Sequence, residues 1–215
     1  MKNLLKLIFK YFGYKLMPYG TLPLDTRAMR NYPHYWELFK RIQDLPGDVV
    51  ECGVGKGRTF LYLVNLARRE GKKRNVWGFD SFEGFPEPSL LDTSSRNPKK
   101  GDWNETSVDD IKEILKSAAV MGDNVHLIKG FFPRNFNQYS KEPIAFLHLD
   151  VDLYQSYKDC LEYFAPFVVE GGIILFDEYK SSKWPGATRA IDEFVTKNGY
   201  EIKHLFAEKY YLIKH

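Results

Sequence analysis

From residue 48 onward, the sequence alternates short apolar runs with longer segments that show the periodicity of amphipathic helices. This alternation is typical of a parallel β-sheet with helices packed on its faces. It predicts strands at residues 49–52, 76–79, 125–128, 145–149 and 173–176. It predicts helices at residues 58–69, 108–121, 154–164 and 187–197. The predicted fold class is therefore α/β, with a doubly wound and mostly parallel sheet.

The end of the chain departs from this alternation. Two apolar-rich runs, residues 201–206 and 210–214, follow each other with no helix between them and only a tight connection near residues 207–209. Strands joined by so short a connection pair in antiparallel fashion. We therefore expect a seven-stranded sheet that ends in an antiparallel C-terminal hairpin.

The length of the chain suits one domain with a sizeable core. Its 215 residues are 44% hydrophobic and 27% charged, which is ordinary for a globular protein. Residues 1–45 lack the alternation and contain Pro18, Pro23 and Pro33, so we interpret them as an N-terminal extension. Residues 46–215 would then form the core of a single domain.

Charge and targeting signals exclude some classes of partner. The net charge of +3 is too balanced for a nucleic-acid-binding surface, which needs clustered positive charge. Lys6 and Lys10 interrupt the apolar N-terminal run, so it predicts neither a signal peptide nor a transmembrane segment. Its apolar face favours docking on the same domain or on a second subunit, which leaves a homo-oligomer open, and a weak membrane-surface helix is the alternative. The two cysteines lack metal-binding or redox spacing, and we expect a cytoplasmic location.

A glycine-rich turn follows the first predicted strand, in the stretch VVECGVGKG. Gly53, Gly55 and Gly57 would let the backbone approach a ligand closely, although such turns also occur in nucleotide-binding proteins or serve structure alone. Glu51, at the strand end, suits the cationic amino-acid end of S-adenosylmethionine and would be unfavourable beside a pyrophosphate. The turn therefore predicts a binding site for S-adenosylmethionine.

An acidic residue ends the second predicted strand. Asp80, with Ser81 beside it, occurs in the stretch NVWGFDSFEGFP, where a carboxylate can accept hydrogen bonds from both hydroxyls of a ribose. NAD-binding proteins share this feature, so Glu51 distinguishes the two cofactors better. Asp80 could also cap the turn that follows it. We take Asp80 and Ser81 as candidate cofactor-binding residues.

Carboxylates gather at the ends of two later strands. Asp150 ends one strand in HLDVDLYQS, and Asp177 and Glu178 end the next in IILFDEY. Like charges at buried strand ends need compensation, and oxygen ligands of this kind suit Mg²⁺ and also Mn²⁺. We therefore predict a metal site formed by Asp150, Asp177 and Glu178, although Glu178 could instead be a solvated loop residue. We interpret Asp152 as a helix N-cap and His148 as a core residue.

Together these motifs resemble those of the macrocin O-methyltransferase family. The resemblance spans roughly residues 45–195 and rests on the stretches ECGVGKG, FDSFEGFP, VHLIKGFFP, LHLDVDLYQS and ILFDEYKSSKWPGATRAIDEF. It implies the class I methyltransferase fold, which is Rossmann-like. It also implies an enzyme that depends on S-adenosylmethionine and a metal ion and methylates sugar hydroxyls of natural products.

The resemblance also assigns roles to individual residues. The family's metal ligands map onto Asp150, Asp177 and Glu178. Its cofactor-binding residues map onto Glu51, Gly53 and Asp80, with Gly130 near the adenine. Two positions differ, because the family usually has paired aspartates at positions 177 and 178 and a tryptophan where Phe131 stands.

The predicted reaction is in-line transfer of a methyl group to a hydroxyl of a sugar or a glycosylated natural product. A cation on two adjacent hydroxyls would lower the pKa of one of them, and Asp150 is the candidate proton acceptor, with His148 as the weaker alternative. Residues 18–40 and 87–103 would cover the acceptor, with Tyr32, Tyr35 and Trp36 lining it. The alternatives are methylation of a catechol-like phenol, a non-catalytic nucleotide-binding module and, more weakly, an NAD-dependent dehydrogenase.

Overall fold

The computed structural model describes residues 11, 20–22, 26–206 and 209–215. The helices of this part are α1 (Thr26–Ile42), α2 (Arg58–Glu70), α3 (Val108–Ser117), α4 (Tyr154–Phe164) and α5 (Pro185–Asn198). The strands are β1 (Asp48–Cys52), β2 (Val76–Asp80), β3 (Val125–Lys129), β4 (Ile144–Leu149), β5 (Val168–Phe176), β6 (Lys203–Phe206) and β7 (Lys209–Ile213).

The strands form one seven-stranded sheet in the order β3-β2-β1-β4-β5-β7-β6. Strands β1 to β5 pair in parallel, and β7 pairs antiparallel with both β5 and β6. The predicted fold class is therefore confirmed, including the antiparallel C-terminal hairpin. The order reverses between β1 and β4, which is the switch point where open α/β sheets bind their ligands.

Most predicted elements coincide with observed ones, and two boundaries differ for identifiable reasons. Strand β5 begins at Val168 rather than at residue 173, because Gly171 and Gly172 interrupt its apolar pattern without ending the strand. Helix α3 ends at Ser117 rather than at residue 121. Ala119 adopts a left-handed backbone conformation with φ of 55°, which is incompatible with a continuing α-helix.

The segment before β1 contributes to the core. Pro33, which we expected to interrupt this segment, lies inside helix α1. Leu38, Phe39 and Ile42 of that helix are buried in the same apolar cluster as α2 and one face of the sheet. The amphipathic helix expected near the N-terminus lies outside the described residues apart from Tyr11. Among the described helices, none is long and apolar enough to cross a membrane.

The parallel strands end at one edge of the sheet and place their last residues side by side. The Gly53 N–H donates to the Phe79 carbonyl at 2.8 Å, and the Asp150 N–H donates to the Cys52 carbonyl at 2.9 Å. The Asp177 N–H extends the same series to the Leu149 carbonyl at 3.0 Å. These bonds fix the backbone of the glycine-rich turn next to the two acidic strand ends.

Candidate active site

A large cavity of about 1060 Å³ opens at this edge of the sheet, and we call it the central cavity. Its wall combines the glycine-rich turn, the acidic strand ends, helix α1 and two loops. The predicted site residues that line it are Gly53, Gly55, Asp80, Ser81, Gly130, Asp150, Asp177 and Glu178. The turn and the carboxylates, which the sequence separates by about 100 residues, therefore face one space.

The glycine-rich turn brings backbone rather than side chains to the central cavity. Gly53 has φ of +87°, and a Cβ atom there would lie 1.8 Å from the Asp150 carbonyl oxygen, so only glycine fits. Gly55 has φ of +51° and open space on the side where a Cβ would point. Gly57 does not line the cavity; it precedes α2, where a Cβ atom would meet the Ile111 side chain at 2.6 Å. Gly53 and Gly55 thus line the central cavity without a side chain, and we call this part of its wall the glycine cradle.

Asp80 is held in place by two backbone amides at the rim of this cradle. Its Oδ2 accepts from the Gly55 N–H at 2.9 Å, and its Oδ1 accepts from the Phe82 N–H at 2.7 Å. The second bond confirms that Asp80 caps its own turn, and the carboxylate also lines the central cavity. Ser81 donates to the Gly84 carbonyl at 2.7 Å and so stabilises the same turn.

Glu51 lies behind the cavity wall rather than on it. The side chain is fully buried, and its Oε1 pairs with His148 Nδ1 at 2.9 Å. Its Oε2 has no hydrogen-bond partner among the described residues. Burial raises the pKa of Glu51 to about 7, against the opposing effect of His148. Its predicted contact with the cofactor remains a prediction, because Glu51 is absent from the residues that line the central cavity.

The acidic residues form two overlapping clusters that share Asp150. One cluster joins Asp150, Asp152 and Glu178, with one oxygen of each within 4.8 Å of the others. The other joins His148, Asp150 and Asp177 within the same distance. The predicted set of Asp150, Asp177 and Glu178 is therefore divided between the two.

Asp177 differs from the other carboxylates because it has a cation beside it. Its Oδ1 contacts the ammonium group of Lys209, a buried residue at the start of β7. The same oxygen lies 3.5 Å from His148 Nε2. His148 is buried, as predicted, but it bridges Glu51 and Asp177 rather than packing only against apolar side chains. The positive charge of Lys209 compensates Asp177 without an added ion.

The ionised forms of Glu178 and Asp152 are disfavoured in this site, although the charges of Arg96 and Lys209 partly offset this for Asp152. Burial, followed by the charge of Asp150, raises the pKa of both carboxyl groups well above their usual range. Glu178 is only 4% exposed and contacts the Tyr157 hydroxyl, so the alternative that it is a solvated loop residue is wrong. Asp150 and Asp152 are half-buried and Glu178 is buried, and carboxylates this close need shared protons or a cation to offset their repulsion.

The interpretation of Asp152 as a helix cap is wrong. Helix α4 has Leu153 as its N-cap residue, with no side-chain capping bond. Asp152 instead adopts a left-handed conformation with φ of 57° and lines the central cavity. The Tyr154 N–H, which a cap would have satisfied, donates to Asp92 Oδ1 at 2.7 Å. The only sequence signal for this role was the pair of aspartates in DVD, which a cap explained equally well.

The aromatic prediction holds for one of three residues. Tyr35 lines the central cavity. Tyr32 packs edge-on against Tyr62, and Trp36 lines a separate cavity of about 390 Å³ beside Arg69. From the 87–103 loop, Ser95, Arg96 and Trp103 line the central cavity. Sequence reasoning missed Arg96, which lies over the ring faces of both Trp103 and Trp184, since the contact with Trp184 joins distant parts of the chain.

A seven-stranded sheet of this order, with a glycine-rich turn after β1 and an acidic residue ending β2, defines the class I methyltransferase fold. The solved structure of CalS11, a calicheamicin methyltransferase, superposes with a TM-score of 0.79 at 25% identity, covering 88% of this chain and 80% of that one. Within this class the chain belongs to the macrocin O-methyltransferase family: residues 27–205 match the family described as Macrocin-O-methyltransferase (TylF).

Two curated relatives share part of their length with this chain. It is 29% identical over 140 residues to the 8-demethyl-8-(2,3-dimethoxy-alpha-L-rhamnosyl)-tetracenomycin-C 4'-O-methyltransferase of Streptomyces olivaceus, covering 63% of this chain and 54% of that protein. It is 26% identical over 159 residues to the demethyldecarbamoylnovobiocin O-methyltransferase of Streptomyces niveus, covering 72% of this chain and 60% of that protein. The chain thus spans between 54% and 60% of the length of these two relatives.

Proposed function

We propose that this protein is an S-adenosylmethionine-dependent O-methyltransferase that acts on a hydroxyl of a sugar or a glycosylated natural product. The observation that carries the proposal is that the glycine cradle, Asp80 and the acidic clusters all open into the central cavity. The relative from Streptomyces olivaceus is named for methylation at the 4' position of a rhamnosyl compound, which supports a sugar acceptor.

The cofactor-side residues fit S-adenosylmethionine, which supplies an electrophilic methyl group on a sulfonium. Gly53 and Gly55 present backbone to the cavity with no side chain in the way. Asp80, oriented by two amides, has lone pairs left to accept from ribose hydroxyls. Gly130, which lines the same cavity beyond β3, is proposed to lie near the adenine. Glu51 would act on the cationic amino-acid end through the turn rather than by direct contact.

The acceptor-side residues fit a divalent cation such as Mg²⁺ or Mn²⁺, which would supply positive charge next to the acceptor hydroxyls. Asp150 and Glu178 belong both to the set implied by the family and to the cluster with Asp152, so we propose them as ligands. The third carboxylate is Asp177 in the family-based set and Asp152 in the structural cluster. Because Asp177 already pairs with Lys209, we take Asp152 as the alternative third ligand.

The protein must also take a proton from the acceptor hydroxyl. Asp150 is the proposed proton acceptor because it belongs to both acidic clusters and lines the central cavity. Asp152 is the second candidate, since it lines the same cavity and belongs to the cluster with Asp150 and Glu178. Arg30, Asn31 and Tyr35 of α1 line the cavity opposite these groups, which supports a role of this segment as part of an acceptor cap.

The proposal is tested first by calorimetry with S-adenosylhomocysteine and with NAD. We expect binding of the former and none of the latter at comparable concentration. Transfer of a labelled methyl group should then be measured on rhamnosides and on a catechol, with and without a chelator. Methylation of the rhamnoside that stops in chelator supports the proposal. Preferred methylation of the catechol, or tighter binding of NAD, would overturn it.

Substitutions that each remove one charge distinguish the third metal ligand from the proton acceptor. Asp177→Asn and Asp152→Asn should each be compared with Asp109→Asn, a change at an exposed position on α3. The variant that weakens Mn²⁺ binding by about tenfold or more identifies the ligand. If either variant binds Mn²⁺ normally but loses methyl transfer, that residue rather than Asp150 is the proton acceptor. If Asp150→Asn binds Mn²⁺ as the wild type does, the proposed cation site is wrong.

A further inference from the structure

Helix α4, which begins directly after the acidic turn, is capped from a distant part of the chain. Its own N-cap residue, Leu153, provides no capping side chain. Asp92, in a short 3₁₀ segment of the 85–103 loop, accepts from the Tyr154 N–H through Oδ1 at 2.7 Å. A carboxylate in this position satisfies a free amide and interacts favourably with the positive end of the helix dipole.

The Asp92 carboxylate is buried and held on both sides. Its residue is only 2% exposed, and its Oδ2 accepts from Ser89 N–H at 2.8 Å and Ser89 Oγ–H at 2.7 Å. Within the described part of the chain, no lysine, arginine or histidine forms an ion pair with it. The Ser89 hydroxyl and the backbone amides of Ser89 and Tyr154 therefore stabilise the Asp92 carboxylate. Such charge-assisted hydrogen bonds are among the stronger ones in proteins.

A glycine on a third element makes room for this contact. Gly186 is the second residue of α5, and a Cβ atom there would lie 2.1 Å from Asp92 Oδ1 and 3.0 Å from the Tyr154 Cβ. Any larger residue would push the Asp92 carboxylate away from the start of α4. Two residues further along the loop, Ser94 Oγ donates to the Lys183 carbonyl at 2.7 Å, so the loop is fixed to the segment before α5 as well.

The hydrogen bond between Asp92 and Tyr154 joins two segments that each lie next to residues lining the central cavity. Ser95 and Arg96, just after Asp92, line the central cavity. Tyr154 follows Leu153 and Asp152, and Asp152 is held in a left-handed backbone conformation, which residues other than glycine seldom adopt. Such a conformation persists only where the surroundings enforce it. The start of α4, fixed by Asp92, is the next element along the chain.

We propose that Asp92 is a positioning residue that couples the 85–103 loop to the acidic cluster. By capping α4 it holds the 150–153 turn, and hence Asp152, in the conformation that brings its carboxylate close to those of Asp150 and Glu178. The part of this inference that concerns the cation rests on the proposed function. The part that concerns the turn stands on the hydrogen bonds alone.

The test compares Asp92→Ala and Asp92→Asn with a matched control in the full-length protein. Asp110 forms the same type of capping box with Ser107 at the start of α3, and neither residue lines the central cavity. Asp110→Ala therefore removes an equivalent cap elsewhere. Hydrogen exchange of the peptide covering residues 150–158, Mn²⁺ affinity, S-adenosylhomocysteine affinity and the KM and kcat for acceptor are measured for each variant.

For Asp92→Ala we expect faster exchange in residues 150–158, Mn²⁺ affinity lower by about tenfold, and S-adenosylhomocysteine affinity within about twofold of the wild type. Asp92→Asn keeps an oxygen for the Tyr154 N–H, so its exchange rate and Mn²⁺ affinity should lie between those of Asp92→Ala and the wild type. It remains informative if Asp92→Ala does not fold. Asp110→Ala should alter none of these. Unchanged exchange at residues 150–158 in both Asp92 variants would overturn the proposal, and so would unchanged Mn²⁺ affinity. If the wild type binds no Mn²⁺, the proposed cation site fails, and the exchange data still decide whether Asp92 positions the turn.

Discussion

Replacing Gly53 with alanine tests whether the glycine-rich turn is held against the acidic strand end. The added Cβ atom would lie 1.8 Å from the Asp150 carbonyl oxygen, a backbone atom that cannot rotate away. Strands β1 and β4, which pair in parallel at this point, would have to separate by more than about 1 Å. The residue would also keep φ of +87°, a strained value for alanine.

The expected cost follows from these two effects. Left-handed strain contributes about 1–2 kcal/mol, and overpacking in a close-packed core contributes about 1–3 kcal/mol. We therefore expect Gly53→Ala to lower the free energy of unfolding by about 3 kcal/mol. It should also displace Asp150 and weaken both S-adenosylhomocysteine and Mn²⁺ binding.

Gly55 provides the matched control two residues away. It has φ of +51°, but no atom lies within 4 Å of where its Cβ would be. Gly55→Ala should therefore cost only the strain, about 1 kcal/mol. Urea unfolding monitored by circular dichroism compares the two variants. Equal losses of stability, or a loss under about 1 kcal/mol for Gly53→Ala, would refute the reasoning.

Three further outcomes are expected. Asp80→Ala should weaken S-adenosylhomocysteine binding by about 1–3 kcal/mol in calorimetry, and unchanged affinity would remove Asp80 from the cofactor site. Arg74→Met should lower the free energy of unfolding by about 3–5 kcal/mol, because it leaves Glu70 and the carbonyls of Ile42 and Leu45 without their buried partner; urea unfolding checks this, and a loss under 1 kcal/mol would contradict it. Burial raises the pKa of Glu51 from 4.5 to about 7, so the folded state disfavours its ionised form. The contribution of Glu51 to the free energy of unfolding is therefore at its full value below pH 4.5 and is lost as the pH rises through about 7. With a chelator present, the free energy of unfolding of Glu51→Gln should fall over this pH range by up to about 3 kcal/mol less than that of the wild type. Parallel curves of unfolding free energy against pH for variant and wild type would contradict this.

Much of the fold could be predicted because its signals are local. The apolar runs of β1 to β4 are short and end at polar residues or glycines, and helices of matching periodicity separate β1 from β2 and β2 from β3. Helix α4 was predicted with its observed bounds, Tyr154–Phe164. The carboxyl ends of parallel strands must meet at one edge, so the proximity of Gly53, Asp80 and Asp150 followed from their positions at strand ends. For α1, in contrast, the prolines of the N-terminal segment concealed a helix that packs into the core.

The partners of individual side chains depended on the tertiary structure. Asp152 joins Asp150 and Glu178, whereas Asp177 pairs with Lys209 from a strand that begins 32 residues later in the printed sequence. Asp92 caps a helix that begins 62 residues away. Hydrogen bonds and ion pairs require positions correct to a few tenths of an ångström. The packing of helices on a twisted sheet sets those positions, and no local pattern of residues encodes them. The sequence alone determined at which edge of the sheet the candidate site residues lie. Only the tertiary structure decided which of the carboxylates there lie close together and which one pairs with a lysine.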